Sequence, residues 1–176
     1  MKAPISTNRL AIFAYGSLLF RPGFAFLERQ RAVANGYARH FSQASPDHRG
    51  TPEQPGRVVT LVPRTGWSTA GALYFVEAPA IQLLSELDHR EQAGYQRITL
   101  EACTEHDRHQ AVTWIAPPGN AYEAGQLPLA ELSAHIRRCA GPSGHNADYV
   151  FQLEAALAEL DATDPFVSEL AAVLRR

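Results

Sequence analysis

The chain has 176 residues, of which 45% are hydrophobic, and a formal net charge of −2 at pH 7. This length and apolar content suit one packed domain spanning residues 1–176 and are short for two. Because nucleic-acid and membrane-surface proteins usually need a net or clustered positive field, the charge argues against both kinds of partner.

Strand patterns dominate the first two thirds of the chain. Buried or alternating apolar residues predict strands at 10–15, 33–41, 57–61, 70–76, 96–103 and 110–115. A helix is predicted over 79–92, because Ile81, Leu84 and Leu87 recur at helical spacing and Gly94 follows as a stop signal. The segment 42–56 is too rich in Pro, Gly and charge for either element, and long loops of this kind are often functional.

Helical patterns take over after residue 128. Apolar residues recur at helical spacing over 129–139, 146–160 and 165–174, with Asn146 and Asp164 as candidate N-caps. The sequence Gly-Pro-Ser-Gly at 141–144 predicts a hinge between the first two of these helices. Strands first, with one embedded helix, and helices last predict an α+β fold around a mixed sheet.

Two features indicate a cytoplasmic protein. Cys103 and Cys139 are the only cysteines, too few for a disulfide framework in a domain of this size, so a reducing compartment fits best. Residues 1–9 lack the apolar core of a signal peptide, and the longest apolar run ends at 21–23, well short of a membrane span.

The segment Tyr15-Gly16-Ser17-Leu18 is a candidate anion-binding loop. A buried strand pattern runs into Gly16, which frees the backbone dihedrals and removes a side chain that would keep a ligand away. The backbone N–H groups of Ser17 and Leu18 could then cradle a carboxylate. An ordinary tight turn is the alternative interpretation of the same pattern.

Glu91 is the candidate proton carrier. It lies four residues after Leu87 and seven after Leu84, on the helical face that buries both leucines. Burial would raise the pKa of its carboxyl and suit it to proton transfer near neutral pH. Taken by itself, a glutamate at a helix end more often turns to solvent or pairs with an arginine, here Arg90 or Arg97. Asp88, almost on the same face, is interpreted as an anchor for a neighbouring group.

The remaining chemistry-bearing residues give weaker signals. His106 and His109 fall in a predicted hairpin loop without a third ligand at a diagnostic interval, and His48 after Asp47 has no convincing ligand spacing either, so no metal site is predicted. Ser17 lacks the surroundings of a nucleophile elbow, and neither cysteine has a sign of activation. Taken by itself, Tyr149 on a C-terminal helix is more typical of packing than of chemistry.

Several motifs in order resemble the ChaC family of glutathione-specific gamma-glutamylcyclotransferases. They are Tyr15-Gly16-Ser17-Leu18, residues 47–53 with 55–61, residues 87–95, and residues 141–146 followed by Tyr149 and Asp164-Pro165. The resemblance implies a small barrel-like mixed sheet with flanking helices. It also implies release of 5-oxoproline and cysteinylglycine from glutathione without a cofactor.

By position, the resemblance places the family's substrate loop on Tyr15 to Leu18 and its catalytic glutamate on Glu91. Tyr149 joins the candidate substrate-binding residues through the last of these motifs. Arg49, in the long polar loop, is the candidate for the distal carboxylate of glutathione, because a guanidinium matches a carboxylate with two parallel hydrogen bonds. A loop arginine that only caps turns is the equal alternative. One departure is visible: Ala93-Gly94 stands where the family often has Gly-Gly.

Two alternatives stay open at this point. The same base and loop would serve cyclotransfer on other gamma-glutamyl compounds. A non-catalytic module that binds a small anion or regulates a cation transporter would also explain the loop. A buried carboxylate argues against the second alternative, because a binding module needs no proton carrier.

Overall fold

Five strands close into a barrel in the computed structural model, which describes residues 8–176. The strands are β1 (Arg9–Ala14), β2 (Glu28–Ser45), β3 (Gly56–Glu77), β4 (Gln96–Cys103) and β5 (Arg108–Ile115). Their order around the barrel is β1-β3-β2-β4-β5, and β1 pairs with β5 in parallel while the other pairs are antiparallel. The predicted α+β class with a mixed, barrel-like sheet is therefore confirmed.

Strands β2 and β3 are much longer than the sequence predicted. The predicted strands at 57–61 and 70–76 are parts of β3, which pairs with β2 along nearly its whole length. Four residues, 64–67, bulge out opposite Gly36, so the apolar pattern of β3 is interrupted although the strand continues. The charged start of β2 was missed because backbone pairing with β3 outweighs its poor strand propensity.

Within residues 8–176, four helices accompany the barrel. They are α1 (Ile81–Arg90), α2 (Leu129–Arg138), α3 (Asn146–Ala158) and α4 (Pro165–Leu174), and a short 3-10 helix spans Ser17–Leu19. Helices α2, α3 and α4 pack on one another, and α3 also contacts β3 and the 3-10 helix. Large side chains shared between barrel and helices form the core: Ile12, Phe13, Leu61, Leu73, Tyr74, Leu132, Ile136, Leu153, Leu157 and Leu170.

The two predicted N-caps have different outcomes. Asp164 caps α4, because its Oδ1 accepts from the backbone N–H of Phe166 at 3.1 Å and of Val167 at 3.2 Å. Asn146 does not cap α3, which it enters as the first residue. The Oδ1 of its buried side chain instead accepts from the backbone N–H of Arg57 at 2.7 Å, and its Nδ2 donates to the backbone carbonyl of Arg57 at 2.8 Å. The side chain thus satisfies both backbone groups of this β3 residue.

The predicted hinge at 141–144 is wrong. These residues belong to a small hairpin of strands β6 (Ala140–Gly141) and β7 (Gly144–His145). The backbone N–H of Ser143 donates to the carbonyl of His48 at 2.9 Å, and a side chain at position 141 would stand 2.5 Å from that carbonyl oxygen. The hairpin therefore braces the loop at 46–55 rather than flexing.

Two expectations concern targeting. The expectation that residues 1–9 contain no signal peptide falls mainly on residues 1–7, which lie outside the described residues. Within residues 8–176, no helix combines the length and the apolar character needed to cross a membrane.

Candidate active site

One cavity of about 370 Å³ opens where β1 ends, bounded by the loop at 46–55 and the end of α1. It brings together all the residues that sequence analysis selected for the site. They are Tyr15, Gly16, Ser17, Leu18, Arg49, Glu91 and Tyr149. These residues come from four separate parts of the chain, and the fold alone makes them neighbours.

The loop at 15–18 offers hydrogen-bond donors to the cavity rather than acceptors. All four of its carbonyl oxygens already accept hydrogen bonds, from Arg39 Nε to Tyr15 (3.0 Å), Leu19 N to Gly16 (2.9 Å), Arg21 N to Ser17 (2.8 Å) and Tyr74 Oη to Leu18 (3.1 Å). The N–H groups of Ser17 and Leu18, by contrast, have no acceptor within residues 8–176. A loop with committed carbonyls and free amides suits an anion.

Close contacts at the cavity wall favour a glycine at position 16. Its φ is −128° and its ψ is −131°, so the residue is not in the left-handed conformation. A Cβ at this position would lie 3.0 Å from Cγ2 of Val59 and 3.2 Å from Oη of Tyr149. The absent side chain leaves room for those two groups at the cavity wall.

A β-bulge positions two tyrosines in the cavity. Phe41 and Ser42 on β2 both lie opposite Val59 on β3, which disturbs the ladder there. Tyr149 Oη accepts from the Val59 N–H at 3.3 Å, and Tyr95 Oη donates to the Val59 carbonyl at 2.6 Å. The proton of the Tyr149 hydroxyl has no acceptor among residues 8–176, so this buried group can donate to a ligand.

The cavity tyrosines stay protonated. Burial is the main reason that the pKa of Tyr15, Tyr95 and Tyr149 is raised, and the charge of Glu91 raises all three further. Tyr15 donates its hydroxyl proton to the carbonyl of Trp114 at 2.6 Å. Its role is therefore to fix the start of the loop, while Tyr149 keeps a proton available.

Glu91 closes the end of α1. Its backbone N–H donates to the carbonyl of Leu87 at 2.8 Å, and its side chain, 16% exposed, lines the cavity. Burial raises the pKa of its carboxyl; Arg90 Nε, 3.4 Å away, opposes that shift and the charge of Asp47 adds to it. The result is a carboxylate that takes up a proton more readily than one in water.

Arg49 lines the cavity but also has structural contacts. Its guanidinium donates to the carbonyl of His145 at 3.0 Å and to Oε1 of Gln152 at 3.1 Å, and it lies 5.8 Å from the centre of the Tyr149 ring. Three of its five N–H groups remain for other acceptors. Arg49 thus ties the 46–55 loop to α3 while facing the cavity.

Asp88, His106 and His109 do not line the cavity. His48 does, next to Asp47. Asp88 accepts from Trp114 Nε1 at 2.8 Å and pairs with Arg97 at 3.2 Å, which is the anchoring role expected for it. His109 packs edge-on against Phe75. Across the part of the chain that the structure describes, no three His, Cys, Asp or Glu side chains come close enough together to hold a metal.

Sequence analysis missed several polar cavity residues as site candidates, among them Arg21, Asp47 and Tyr95. Asp47 and Tyr95 stood inside the quoted motifs, and their polar side chains next to the candidate residues were the available signal. Arg21 was considered only as the end of an apolar run. A cation three residues after a candidate anion loop was the signal for it.

Comparison with known proteins gives consistent matches. Residues 10–176 match the model of the family described as ChaC-like protein. The chain is 36% identical to gamma-glutamylcyclotransferase 2-1 of Arabidopsis thaliana, across 95% of this chain and 82% of that protein. It is 35% identical to human glutathione-specific gamma-glutamylcyclotransferase 1, across 82% of this chain and 68% of the human protein.

The crystal structure of a yeast gamma-glutamylcyclotransferase specific to glutathione superposes with a TM-score of 0.88. The two chains are 26% identical, and the superposition covers 96% of each. The likeness therefore extends over the barrel and the C-terminal helices alike.

Proposed function

The chain belongs to the ChaC-like protein family, and from this premise we propose that it is a glutathione-specific gamma-glutamylcyclotransferase with Glu91 as its general acid and base. The observation that supports the proposal most strongly is the cavity itself. It combines a donor-rich loop, a free tyrosine hydroxyl and one buried carboxylate with a raised pKa.

The proposed reaction needs positioning and proton transfer. The glutamyl amine of glutathione attacks its own γ-carbonyl carbon; a C–N bond forms and closes a five-membered lactam, and the amide bond to cysteine breaks. Because both reacting groups belong to one molecule, the enzyme gains rate by holding them in the attacking geometry. The products are 5-oxoproline and cysteinylglycine.

Glu91 accounts for the protons. The glutamyl nitrogen gives up two protons between ammonium and lactam N–H. The departing cysteinylglycine nitrogen gains two between amide N–H and ammonium. One carboxylate can carry both in turn and end ionised as it began. The raised pKa of Glu91 favours this exchange near neutral pH.

The cavity wall supplies the binding groups in this proposal. The amides of Ser17 and Leu18 hold the α-carboxylate of the glutamyl group, next to Tyr15 and Gly16. The Tyr149 hydroxyl donates to the γ-carbonyl oxygen, which gains negative charge during attack. Arg49 contributes its remaining N–H groups to the peptide part of the substrate.

The setting proposed for this activity is the cytoplasm. Cys139 is buried and Cys103 half-buried, and both are free thiols. A reducing compartment keeps such thiols free, and it is also where thiol substrates stay reduced.

Incubation of the purified protein with reduced glutathione tests the function. We expect equimolar 5-oxoproline and cysteinylglycine, with γ-glutamylalanine turned over much more slowly. Similar rates on both substrates would favour general gamma-glutamyl cyclotransfer. No 5-oxoproline from either would overturn the proposed function.

A further inference from the structure

The strongest unassigned feature of the cavity is Arg21. It lines the cavity three residues beyond the donor loop, and its side chain is exposed. Among residues 8–176 its guanidinium has neither a hydrogen-bond acceptor nor an acidic partner. Arg49 and Arg90, the other two arginines of the cavity wall, both donate to the protein.

The backbone at Arg21 is held firmly although the side chain is free. Its N–H donates to the Ser17 carbonyl at 2.8 Å, and its carbonyl accepts from Arg90 at 2.6 Å. Arg90 also donates to the Pro22 carbonyl at 2.7 Å and contacts Glu91. Arg90 therefore holds the backbone of Arg21 at a fixed position relative to Glu91, the proposed proton carrier.

Arginines outnumber carboxylates in the cavity wall. Arg21, Arg49 and Arg90 line it together with Asp47 and Glu91, and Arg90 contacts Glu91. The charge of Arg21 contributes to the lowered pKa of Arg49 and Arg90, of which burial is the main cause. An exposed guanidinium without a protein partner in such a wall suits an anionic ligand.

We propose that Arg21 binds the glycine carboxylate of glutathione and so gives the enzyme its preference for the tripeptide. The inference rests on the proposed function. In the proposed function, Ser17, Leu18 and Glu91 hold the glutamyl end, and these residues are buried or partly buried. Arg21 is exposed on the wall of the same cavity, so it is the arginine assigned to the second carboxylate. Arg49 stands farther in, with its guanidinium partly committed to His145 and Gln152.

Glutathione and its glycine ethyl ester form the matched pair of substrates for the test. The ester keeps the glutamyl and cysteinyl parts and loses only the distal charge. For Arg21→Ala we expect the Michaelis constant for glutathione to rise roughly threefold to thirtyfold, the range of a charge-assisted contact at a partly exposed site. The rise on the ester should be much smaller, and Arg21→Lys should recover part of the loss.

Two controls separate this role from others. Arg108→Ala removes an exposed arginine on the β4–β5 hairpin and should behave as wild type. Raised ionic strength should weaken glutathione binding in the wild type more than in Arg21→Ala, because salt screens exposed charge pairs.

The results distinguish the two proposals. Equal losses on glutathione and ester in Arg21→Ala would overturn the assignment of the glycine carboxylate to Arg21. So would a selective loss seen in Arg49→Ala but not in Arg21→Ala. An inactive wild type would overturn the proposed cyclotransferase function itself.

Discussion

Glu91 combines three influences on one carboxyl group. Burial disfavours its ionised form and raises the pKa; the guanidinium of Arg90 acts in the opposite direction, and the charge of Asp47 raises the pKa again. A general base must be ionised to accept a proton, so activity falls as pH drops through this pKa. Because Glu91 is the proposed general base, we expect the acid side of the pH–rate profile to report on it.

Asp47→Asn should move that acid limb to lower pH. Removing a negative charge near Glu91 takes away one cause of its raised pKa, so the carboxylate stays ionised further into the acid range. The measurement is kcat/KM for glutathione against pH. Asp107→Asn, on the exposed turn between β4 and β5, is the control and should leave the limb in place. An acid limb that stays fixed in Asp47→Asn would show that another group titrates.

At the scale of elements, the loop at 15–18 depends on its glycine. Gly16→Val should abolish glutathione binding, because the new side chain would enter the space between Val59 and Tyr149, whose nearest atoms lie 3.0 and 3.2 Å from a Cβ there. Ser17→Ala should weaken binding only slightly if the donors are backbone amides. Calorimetric titration with glutathione measures both, and normal binding by Gly16→Val would place the anion site elsewhere.

The turn after α1 gives a second element-scale prediction. Ala93 and Gly94 both have positive φ, 60° and 90°, and a Cβ at position 94 would lie 2.3 Å from Oδ1 of Asn120. Gly94→Ala should lower the free energy of unfolding by about 2 kcal/mol or more, since it adds a clash to the strain of a left-handed residue.

Ala93→Gly is the matched control for that turn. Glycine relieves the left-handed strain and costs backbone entropy, so the net change should lie within about 1 kcal/mol of zero. Chemical denaturation measures both variants. Equal destabilisation by the two substitutions would contradict the conformational account of this turn.

An element could be predicted from the sequence when its own residues define it, and not when contacts with remote parts of the chain do. Helix α1 and strands β4 and β5 were close to their observed bounds because their own apolar periodicity defines them. The full length of β3 was not predictable, because the bulge at 64–67 depends on its partner strand. The 141–144 hairpin was missed for a similar reason: the 46–55 loop that it braces is remote in sequence.

The residues of the candidate site also divide into those that local motifs indicate and those that only the fold identifies. The loop at 15–18 and Glu91 stand in short motifs whose local patterns carry a chemical meaning. Tyr95 and Arg21 lie in or beside these motifs in the sequence, but only the folded structure shows that their side chains line the same cavity. No local signal tells a free arginine from a paired one, so Arg49 was selected and Arg21 was not.

At the scale of the whole molecule, Arg39 joins barrel, loop and C-terminal helices. Its buried guanidinium donates to the carbonyl of Tyr15 at 3.0 Å and of Ala70 at 2.5 Å, and it pairs with Asp164, the N-cap of α4. Arg39→Met should cost about 3–5 kcal/mol of unfolding free energy, because it leaves a partly buried carboxylate without its partner.

Arg9→Met is the comparison for this prediction. Arg9 pairs with Glu28 at 3.2 Å, and both side chains are more than 40% exposed, so the loss should stay below about 1 kcal/mol. Denaturant melts of the two variants give both values. Similar small losses would show that Arg39 does not hold the molecule together.

The central claim is that Glu91 carries the protons of glutathione cyclisation, and Glu91→Gln tests it most directly. The amide keeps the size of the side chain but cannot accept the proton, so release of 5-oxoproline should fall on the order of a hundredfold to ten-thousandfold. Glutathione should still bind in calorimetry. At a pH above the raised pKa of Glu91, the free energy of unfolding of the variant should be at least as large as that of the wild type. The ionised carboxylate destabilises the folded state at such a pH, and the neutral amide does not. Turnover within a few-fold of wild type in a folded, glutathione-binding Glu91→Gln protein would contradict the account.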